Sequence, residues 1–413
     1  MFSHDITHNL LCRSRRAPSF KGMRLPISQL TIEERQRYRY GSLEQTIRAI
    51  RDHRPLDLAA EEWRGRNPGA SHADWRSLAR SCVVDGLHYD SGPADLQAET
   101  ISRTVRDGLV VEHVRFNTAP WFRVDGWFLM PERRSGPIPG MVVMHAWGGP
   151  MIFGKDRMVN AGRDHPVLVE SRKSYSDRYL AEEYARRGYA VIVIDSYHFG
   201  ERFPRGIGDI PEAFDPYDLT LAEAERMTEL GYAQLYMSVK QLNWAGTTWM
   251  GVFFGDDSRC VDYLLSRPEV DAARIGCTGL SGGGWRSNFL AALDRRVTAS
   301  VSVGWMGTGD HQQIYNFSGA IGTFCLLPGV WDRLDLPDLA IIGAPCASMV
   351  VVGTQDALLA QTGAREAARR IADGYAWAGC PERFAYHAPP KDHCYDADVQ
   401  EAAFAWFAHW LKP

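Results

Sequence analysis

A short glycine-rich segment holds the serine whose surroundings are best suited to chemistry. Residues 279–283, with the sequence GLSGG, follow the pattern Gly-x-Ser-x-Gly and place Ser281 at the centre. The apolar run IGCT precedes this segment and the helical run WRSNFLAAL follows it, which is the strand–turn–helix setting that the pattern needs. Glycines flank the serine because side chains there would collide with the neighbouring chain. The pattern predicts that Ser281 is a nucleophile, and the alternative is a strand-to-helix turn without chemistry.

A serine hydroxyl needs a base to take its proton and a carboxylate to orient that base. Asp356 follows the apolar run MVVV, where the carboxyl end of a strand would present it, and Asp310 after the preceding strand is the alternative acid. His393 lies in the loop before the final helix and is the expected base. His387 competes with it but belongs to the strand FAYH. The sequence therefore predicts a triad of Ser281, Asp356 and His393.

Acyl transfer also requires hydrogen-bond donors for the negative charge that develops on the carbonyl oxygen. The backbone N–H of Gly282, directly after the serine, is one expected donor. The loop HAWGG at residues 145–149 follows an apolar strand, and the N–H of Trp147 within it is the second expected donor. His145 is expected to brace this loop rather than to act as a base.

Four aromatic side chains near the predicted site are candidate substrate contacts: Trp285, Trp305, Trp249 and Phe253. Their rings could stack on the sugar or aryl group of a substrate. Large aromatic side chains are equally at home in a protein core. The sequence leaves both interpretations open.

Apolar runs alternate with helical segments over most of the chain. Two runs, at 110–116 and 124–131, alternate apolar and polar residues as half-buried antiparallel strands do. Six shorter apolar runs are further predicted strands: 141–144, 190–194, 274–278, 298–303, 347–352 and 383–387. Strands that alternate with helices predict an α/β fold with a mostly parallel central sheet covered on both faces. A final amphipathic helix is predicted at 399–411.

The chain is predicted to divide at a stretch rich in Gly, Pro and Asp. Residues 1–98 are expected to form an N-terminal arm and a helical extension, and residues 99–413 a catalytic domain. The stretch 196–273 between two predicted strands is too long for one crossover helix. Within it, residues 204–250 are predicted as an inserted lid-like segment, with additional core helices as the alternative.

Composition excludes several classes of function. The 413 residues carry a net charge of −4, so no basic surface for nucleic acid is indicated. The eight cysteines include no C-x-x-C pair and no zinc spacing, which predicts reduced thiols and no metal. Because there is neither an apolar leader nor a run of about 18 apolar residues, a cytoplasmic protein without a membrane span is expected. A small, roughly neutral substrate fits this balance, and a homo-oligomer is left open.

Several longer motifs resemble those of one branch of the α/β-hydrolases. They are the HAWGG loop, YARRGYAVIVID followed by FGER, SRPEVDAARIGCTGLSGGG, LPDLA, and the loops around Asp356 and His393. Across residues 100–413 the chain is similar to the acetyl-xylan-esterase-like and dienelactone-hydrolase-like branch, which is related to the catalytic domain of prolyl oligopeptidases. This resemblance implies an α/β-hydrolase fold and hydrolysis of a carboxylic ester, such as an acetylated sugar or a small aryl or alkyl ester. It implies no metal and no organic cofactor.

Departures from that branch leave the substrate and other functions open. Relatives commonly carry His-Gly where this chain has His145 and Ala146, and an acidic or small residue where Cys394 follows the predicted base. A serine peptidase or amidase is one alternative, although the N-terminal extension is too short for a propeller at about 40–45 residues per blade. A non-catalytic binding protein on the same fold is the other.

Overall fold

The computed structural model describes residue 50 and residues 56–412, with the exception of residue 93. The strands in this part of the chain are β1 (Glu99–Arg106), β2 (Leu109–Ala119), β3 (Phe122–Pro131), β4 (Ile138–Met144), β5 (Ala190–Ile194), β6 (Val270–Leu280), β7 (Val297–Val303), β8 (Ala347–Val351) and β9 (Phe384–His387). The helices are α1 (Ala60–Arg66), α2 (His72–Leu87), α3 (Pro166–Arg172), α4 (Leu180–Arg186), α5 (Leu221–Trp244), α6 (Trp249–Leu265), α7 (Gly282–Leu293), α8 (Gly309–Ala320), α9 (Leu336–Gly343), α10 (Gln361–Trp377) and α11 (Ala397–Leu411). Every predicted strand and the final helix are present, and β1 is an additional strand.

The described strands form one sheet in the order β1-β2-β3-β5-β4-β6-β7-β8-β9. β1, β2 and β3 form an antiparallel meander, and β3 pairs antiparallel with β5. The remaining neighbours all pair in parallel. The predicted mostly parallel sheet is confirmed. Because parallel strands end at the same edge, the loops after β4, β6, β7 and β8 meet there.

Helices cover both faces of the sheet because its central strands are buried on both sides. In β5, Val191 and Val193 pack in a cluster with α4 and α11, whereas Ile192 and Ile194 pack in the opposite cluster with α6. This alternation follows from the strand period, which sends successive side chains to opposite faces. α7 packs on β6 and β7, so the turn that precedes it is anchored to the centre of the sheet.

The helices α1 and α2 belong to the predicted N-terminal extension, and α2 packs on the helices α7 and α9 beside the sheet. α2 begins with a capping box at Ser71. Its arginines donate to carbonyl oxygens of the packed helices, Arg76 Nε to Ile342 O at 2.6 Å and Arg80 Nη2 to Leu293 O at 2.9 Å. The earlier part of the extension lies outside the described residues. The division between extension and catalytic domain stays a prediction.

The segment predicted as a lid-like insertion consists mainly of α5, and α6 follows it directly. α5 begins with a capping box at Thr220 and lies at the surface, where Trp244 at its end is 94% exposed. α6 is instead a core helix, with Trp249 and Phe253 buried. The assignment of residues 204–250 as a lid-like insertion stays a prediction.

Two further sequence expectations concern thiols and membranes. The seven cysteines in the described part of the chain are all free, and five of them are buried. Burial raises the pKa of the Cys277 thiol, which keeps it protonated and inert. Among the described helices, no segment has both the length and the hydropathy that spanning a membrane requires.

Candidate active site

Ser281 stands on the sharp turn between β6 and α7. Its backbone has φ 58° and ψ −119°, a strained conformation for a residue with a side chain. Its N–H donates to Val303 O at 2.8 Å, which holds the turn against β7. A Cβ at Gly279 would stand 2.6 Å from Met144 O, so the turn closes only around glycine. The serine is thus presented at the edge of the sheet where the strand ends meet.

Asp356 and His393 come from two loops that touch at the same edge. His393 Nδ1 lies 2.7 Å from Asp356 Oδ2. The carboxylate is fully buried, and its other oxygen accepts the N–H of Leu358 at 2.9 Å. The loops approach so closely that a Cβ at Gly353 would stand 2.8 Å from Asp392 O. A buried carboxylate with both oxygens engaged holds the imidazole in one orientation and leaves Nε2 for another partner.

The structure separates the competing acid and base from this pair. Asp310 lies in the first turn of α8. His387 is the last residue of β9 and pairs with Val351 in the sheet. The carboxylate that contacts His393 is Asp356.

Two backbone amides lie side by side next to the serine. A Cβ at Gly282 would stand 3.2 Å from Trp147 N, so the backbones of these two residues are in direct contact. Among the described residues, neither the Trp147 N–H nor the Gly282 N–H has a hydrogen-bond acceptor. Neighbouring amides without acceptors are what a developing negative charge requires.

His145 braces the loop after β4. Its Nε2 lies 3.0 Å from the backbone N of Ser196, which can only donate, so the ring proton must be on Nδ1. Nδ1 in turn donates to Ala146 O at 2.9 Å. Burial lowers the pKa of His145 to about 3, so the ring is neutral. With both nitrogens engaged, His145 is not available as a base.

Three charged residues behind this loop were not singled out by the sequence motifs. Lys155 and Asp195 are both buried and form an ion pair at 2.8 Å. Arg157 is buried as well, and its Nη1 donates to Ala146 O at 2.9 Å. The signal in the sequence was Asp195, a carboxylate directly after the apolar strand β5, because a carboxylate buried at that position requires a cation nearby.

Gly304, directly after β7, is a further residue of the site that sequence reasoning missed. It has φ 66°, and a Cβ there would stand 2.9 Å from His393 Cε1. The missing side chain therefore makes room for the imidazole. Its position one residue past a predicted strand was the only signal in the sequence.

A cavity of about 1410 Å³ opens over Ser281 and His393. One wall is a face of α5, whose lining residues recur at helical spacing: Leu221, Glu225, Thr228, Glu229, Tyr232, Leu235 and Tyr236. The loop with Trp147 forms the floor beside the serine. Of the described residues that line the cavity, Arg157 is the only lysine or arginine.

The four aromatic residues predicted as substrate contacts lie elsewhere. None of Trp285, Trp305, Trp249 and Phe253 is among the described residues that line the cavity, and at most 4% of each is exposed. The rings of Trp285 and Trp305 have centroids 3.8 Å apart in the core. Trp249 and Phe253 pack behind Trp147, with centroids 5.4 and 6.0 Å from its ring. The structure therefore corrects this expectation, because packing in the core covers both faces of these rings.

One group within the described part of the chain has side chains of the kind that bind metals. It consists of His113, Asp125 and Glu201. Asp125 is already engaged by Arg115, with contacts of 2.5 and 2.8 Å. None of the three residues lines the cavity over the serine.

The sheet order, the strained serine turn and the loops at the strand ends define the α/β-hydrolase fold. Solved structures share it. A "putative acetyl xylan esterase (BF1801)" from Bacteroides fragilis has a TM-score of 0.64 at 15% identity, over 85% of this chain and 83% of that chain. A CE15 glucuronoyl esterase from Teredinibacter turnerae T7901 has a TM-score of 0.58 at 17% identity, over 86% and 88% of the two chains. The predicted fold is confirmed.

In sequence, the chain is similar to the Bacillus subtilis (strain 168) protein named "Putative hydrolase YtaP". The two are 24% identical over 318 residues, which cover 76% of this chain and 93% of the relative. No family model matches the chain.

Proposed function

We propose that this protein is a serine hydrolase that cleaves carboxylic esters through an acyl-enzyme. The observation that carries the proposal is the 2.7 Å contact between His393 Nδ1 and Asp356 Oδ2, together with the cavity that His393 shares with Ser281. An imidazole oriented by a carboxylate, beside a serine on a strained turn, is the arrangement that activates a serine hydroxyl. The similarity in fold to esterases and in sequence to YtaP supports it.

In the first step, Ser281 Oγ attacks the ester carbonyl carbon while His393 Nε2 takes the hydroxyl proton. Asp356 keeps the other ring proton on Nδ1 and stabilises the imidazolium that forms. The oxyanion accepts hydrogen bonds from the N–H groups of Trp147 and Gly282. The ester C–O bond then breaks, and the imidazolium passes its proton to the leaving alcohol. Water attacks the acyl-enzyme by the same steps, which releases the acid and restores the serine.

The substrates proposed are an acetylated sugar or an aryl or alkyl ester. The cavity of about 1410 Å³ exceeds the volume of typical small-ligand sites, so it has room for an alcohol as large as a sugar unit. Its lining combines apolar residues such as Leu235 and Leu326 with the hydroxyl-bearing residue Tyr232. Such a mixture fits the apolar and hydroxyl-bearing faces of these esters.

The proposal is tested with a fluorophosphonate probe and two chromogenic substrates. The probe is expected to modify Ser281 and to block hydrolysis of p-nitrophenyl acetate in proportion to labelling. The acetate should be cleaved with a much higher kcat/KM than a peptide p-nitroanilide. Preferential cleavage of the anilide would favour a peptidase, and the absence of both labelling and turnover would favour a binding protein.

Replacing Gly304 with alanine is expected to slow the reaction by displacing the His393 imidazole, which itself stays chemically unchanged. The new Cβ would stand 2.9 Å from His393 Cε1 and must displace the imidazole. Because a displacement of about 1 Å can cost 10²-fold in rate, kcat for p-nitrophenyl acetate should fall by about 10- to 100-fold. Steady-state kinetics with a circular dichroism melt separate this loss from unfolding.

The matched control for Gly304→Ala is Gly329→Ala. Gly329 also has a positive φ, 82°, but a Cβ there would meet nothing within 4 Å. It therefore introduces the same kind of backbone strain away from the imidazole. Equal losses of kcat in the two variants would mean that strain alone, and not displacement of His393, explains the result.

A further inference from the structure

The peptide bond between Ala146 and Trp147 includes the N–H group proposed as an oxyanion donor. The carbonyl oxygen of the same peptide accepts two hydrogen bonds from side chains. Ala146 O accepts hydrogen bonds from Arg157 Nη1 and from His145 Nδ1, each at 2.9 Å. In a trans peptide the C=O and N–H groups point to opposite sides. Fixing the carbonyl oxygen with two donors therefore fixes the direction of the Trp147 N–H.

Arg157 differs from the other buried cations around it. It is 4% exposed, and no carboxylate among the described residues lies within ion-pair distance of it. By contrast, Lys155 pairs with Asp195 and Arg286 pairs with Asp257. A buried charge without a counter-ion is costly to the folded state. Because this charge does not stabilise the fold, we expect Arg157 to have another role next to the loop.

The hydrogen bonds of Arg157 narrow that role. Nε has no partner in the described part of the chain, and the bond to Ala146 O is the one that the guanidinium makes there. Arginine stays protonated in proteins, so this bond places a full positive charge on the carbonyl side of the peptide. A charge at that position draws electron density away from the N–H and makes it a stronger donor.

The opposite side of the same peptide is where negative charge is expected to develop. The Trp147 N–H has no acceptor among the described residues and lies beside the backbone of Gly282, the residue after the proposed nucleophile. The cation is thus separated from the proposed oxyanion by a single peptide unit. His145, which is neutral, contributes direction to this peptide but no charge.

We propose that Arg157 is a positioning residue of the oxyanion hole, whose guanidinium orients and polarises the Ala146–Trp147 peptide. The proposal rests on the serine hydrolase function proposed above. It goes beyond it, because it gives a catalytic effect to a side chain that has no part in the proposed acyl transfer.

The test replaces Arg157 with methionine, which keeps a long side chain and removes the charge. Because loss of an entire oxyanion donor costs about 10²–10³ in kcat, weakening one is expected to lower kcat by about 10- to 100-fold. KM for p-nitrophenyl acetate should change little, since the oxyanion exists only after attack. Arg76→Met is the matched control, because Arg76 also donates to a backbone carbonyl but lies far along the chain in α2.

A second measurement reports how strongly the site stabilises an oxyanion. A ¹³C-labelled aryl trifluoromethyl ketone forms a hemiketal with an active-site serine, and NMR gives the pKa of its hydroxyl. In Arg157→Met this pKa should rise by about one unit, the equivalent of a tenfold weaker oxyanion site. A merely structural role for Arg157 would not move it. Arg157→Lys, which keeps a positive charge, should raise it less. Arg157→Gln, which is polar but uncharged, should raise it as Arg157→Met does and carries the test if the methionine variant does not fold.

The outcomes distinguish this inference from the proposed function. If Arg157→Met, or Arg157→Gln in its place, keeps both the wild-type kcat and the wild-type hemiketal pKa, the inference is overturned while the serine mechanism stands. If the ketone forms no hemiketal with the wild-type protein and Ser281→Ala retains activity, the proposed function fails and the inference fails with it. A loss of kcat together with a raised hemiketal pKa supports both.

Discussion

Ser281→Ala is expected to lower kcat for p-nitrophenyl acetate by about 10⁴- to 10⁶-fold, the scale on which loss of a triad serine acts. The variant retains the turn and the amides but has no oxygen to attack the carbonyl. Alanine also relieves nothing in the backbone, because φ 58° is as strained for alanine as for serine. The loss should therefore appear in kcat with little change in the thermal midpoint.

The control for this variant is Ser266→Ala. Ser266 caps the end of α6 and its hydroxyl donates to Tyr263 O at 2.7 Å, away from the cavity. Removing that hydroxyl should leave kcat within about twofold of the wild-type value. Residual activity in Ser281→Ala at one tenth or more of the wild-type kcat would show that another residue attacks the ester.

Asp356→Asn is expected to lower kcat by about 10³- to 10⁴-fold. The carboxylate now accepts from His393 Nδ1 at 2.7 Å and from the Leu358 N–H at 2.9 Å. An amide in the same place can present an N–H to the ring, which favours the tautomer with its proton on Nε2. That tautomer cannot take the serine proton, so the base fails although the geometry is retained. Kinetics with p-nitrophenyl acetate and labelling rates with the fluorophosphonate probe both measure the loss.

Asp310→Asn is the natural companion of that experiment, because the sequence leaves Asp310 as the alternative acid. The structure puts it in the first turn of α8, while Asp356 contacts the imidazole. We expect Asp310→Asn to keep most of the wild-type kcat. The reverse pattern, with Asp310→Asn the inactive variant, would require a different arrangement of the loops at the sheet edge.

The positions of the proposed triad could be predicted because each depends on a local pattern. A short glycine motif between a strand and a helix specifies the turn at Ser281, and polar residues just past apolar runs mark Asp356 and His393. The carboxyl ends of the parallel strands lie at one edge of the sheet, so the loops that carry these three residues meet there. The strands of the sheet were predictable for the same reason.

β1 could not be found in this way. Seven of its eight residues are exposed and the eighth is half-buried, so it has no apolar alternation to recognise. β1 forms because its backbone can hydrogen-bond to the edge of β2, and the pattern of its own side chains does not reveal this pairing. Edge strands that are solvated on both faces carry little sequence signal.

The aromatic residues illustrate a second limit of local patterns. Trp285 follows the serine by four residues, one helical turn, and yet its ring is buried against Trp305. Proximity along the chain gave no information about which face of α7 would meet the cavity. The same holds for α5 and α6, where only the packed structure distinguishes the helix that lines the cavity from the helix that fills the core.

Arg157 lay beyond sequence reasoning because its environment is assembled from distant segments. Its importance depends on burial, on the absence of a carboxylate partner among the described residues, and on one hydrogen bond to Ala146 O. None of these properties follows from the surrounding sequence GKDRMV.

In the proposed mechanism, Ser281 forms the covalent bond to the acyl group. This step is tested most directly by rapid acid quench of the protein during turnover of p-nitrophenyl acetate, followed by peptide mapping in a mass spectrometer. We expect an acetyl group on the peptide that contains Ser281, present during turnover and absent from Ser281→Ala. Turnover without any acetylated peptide, or acetyl transfer to a different residue, would contradict this mechanism.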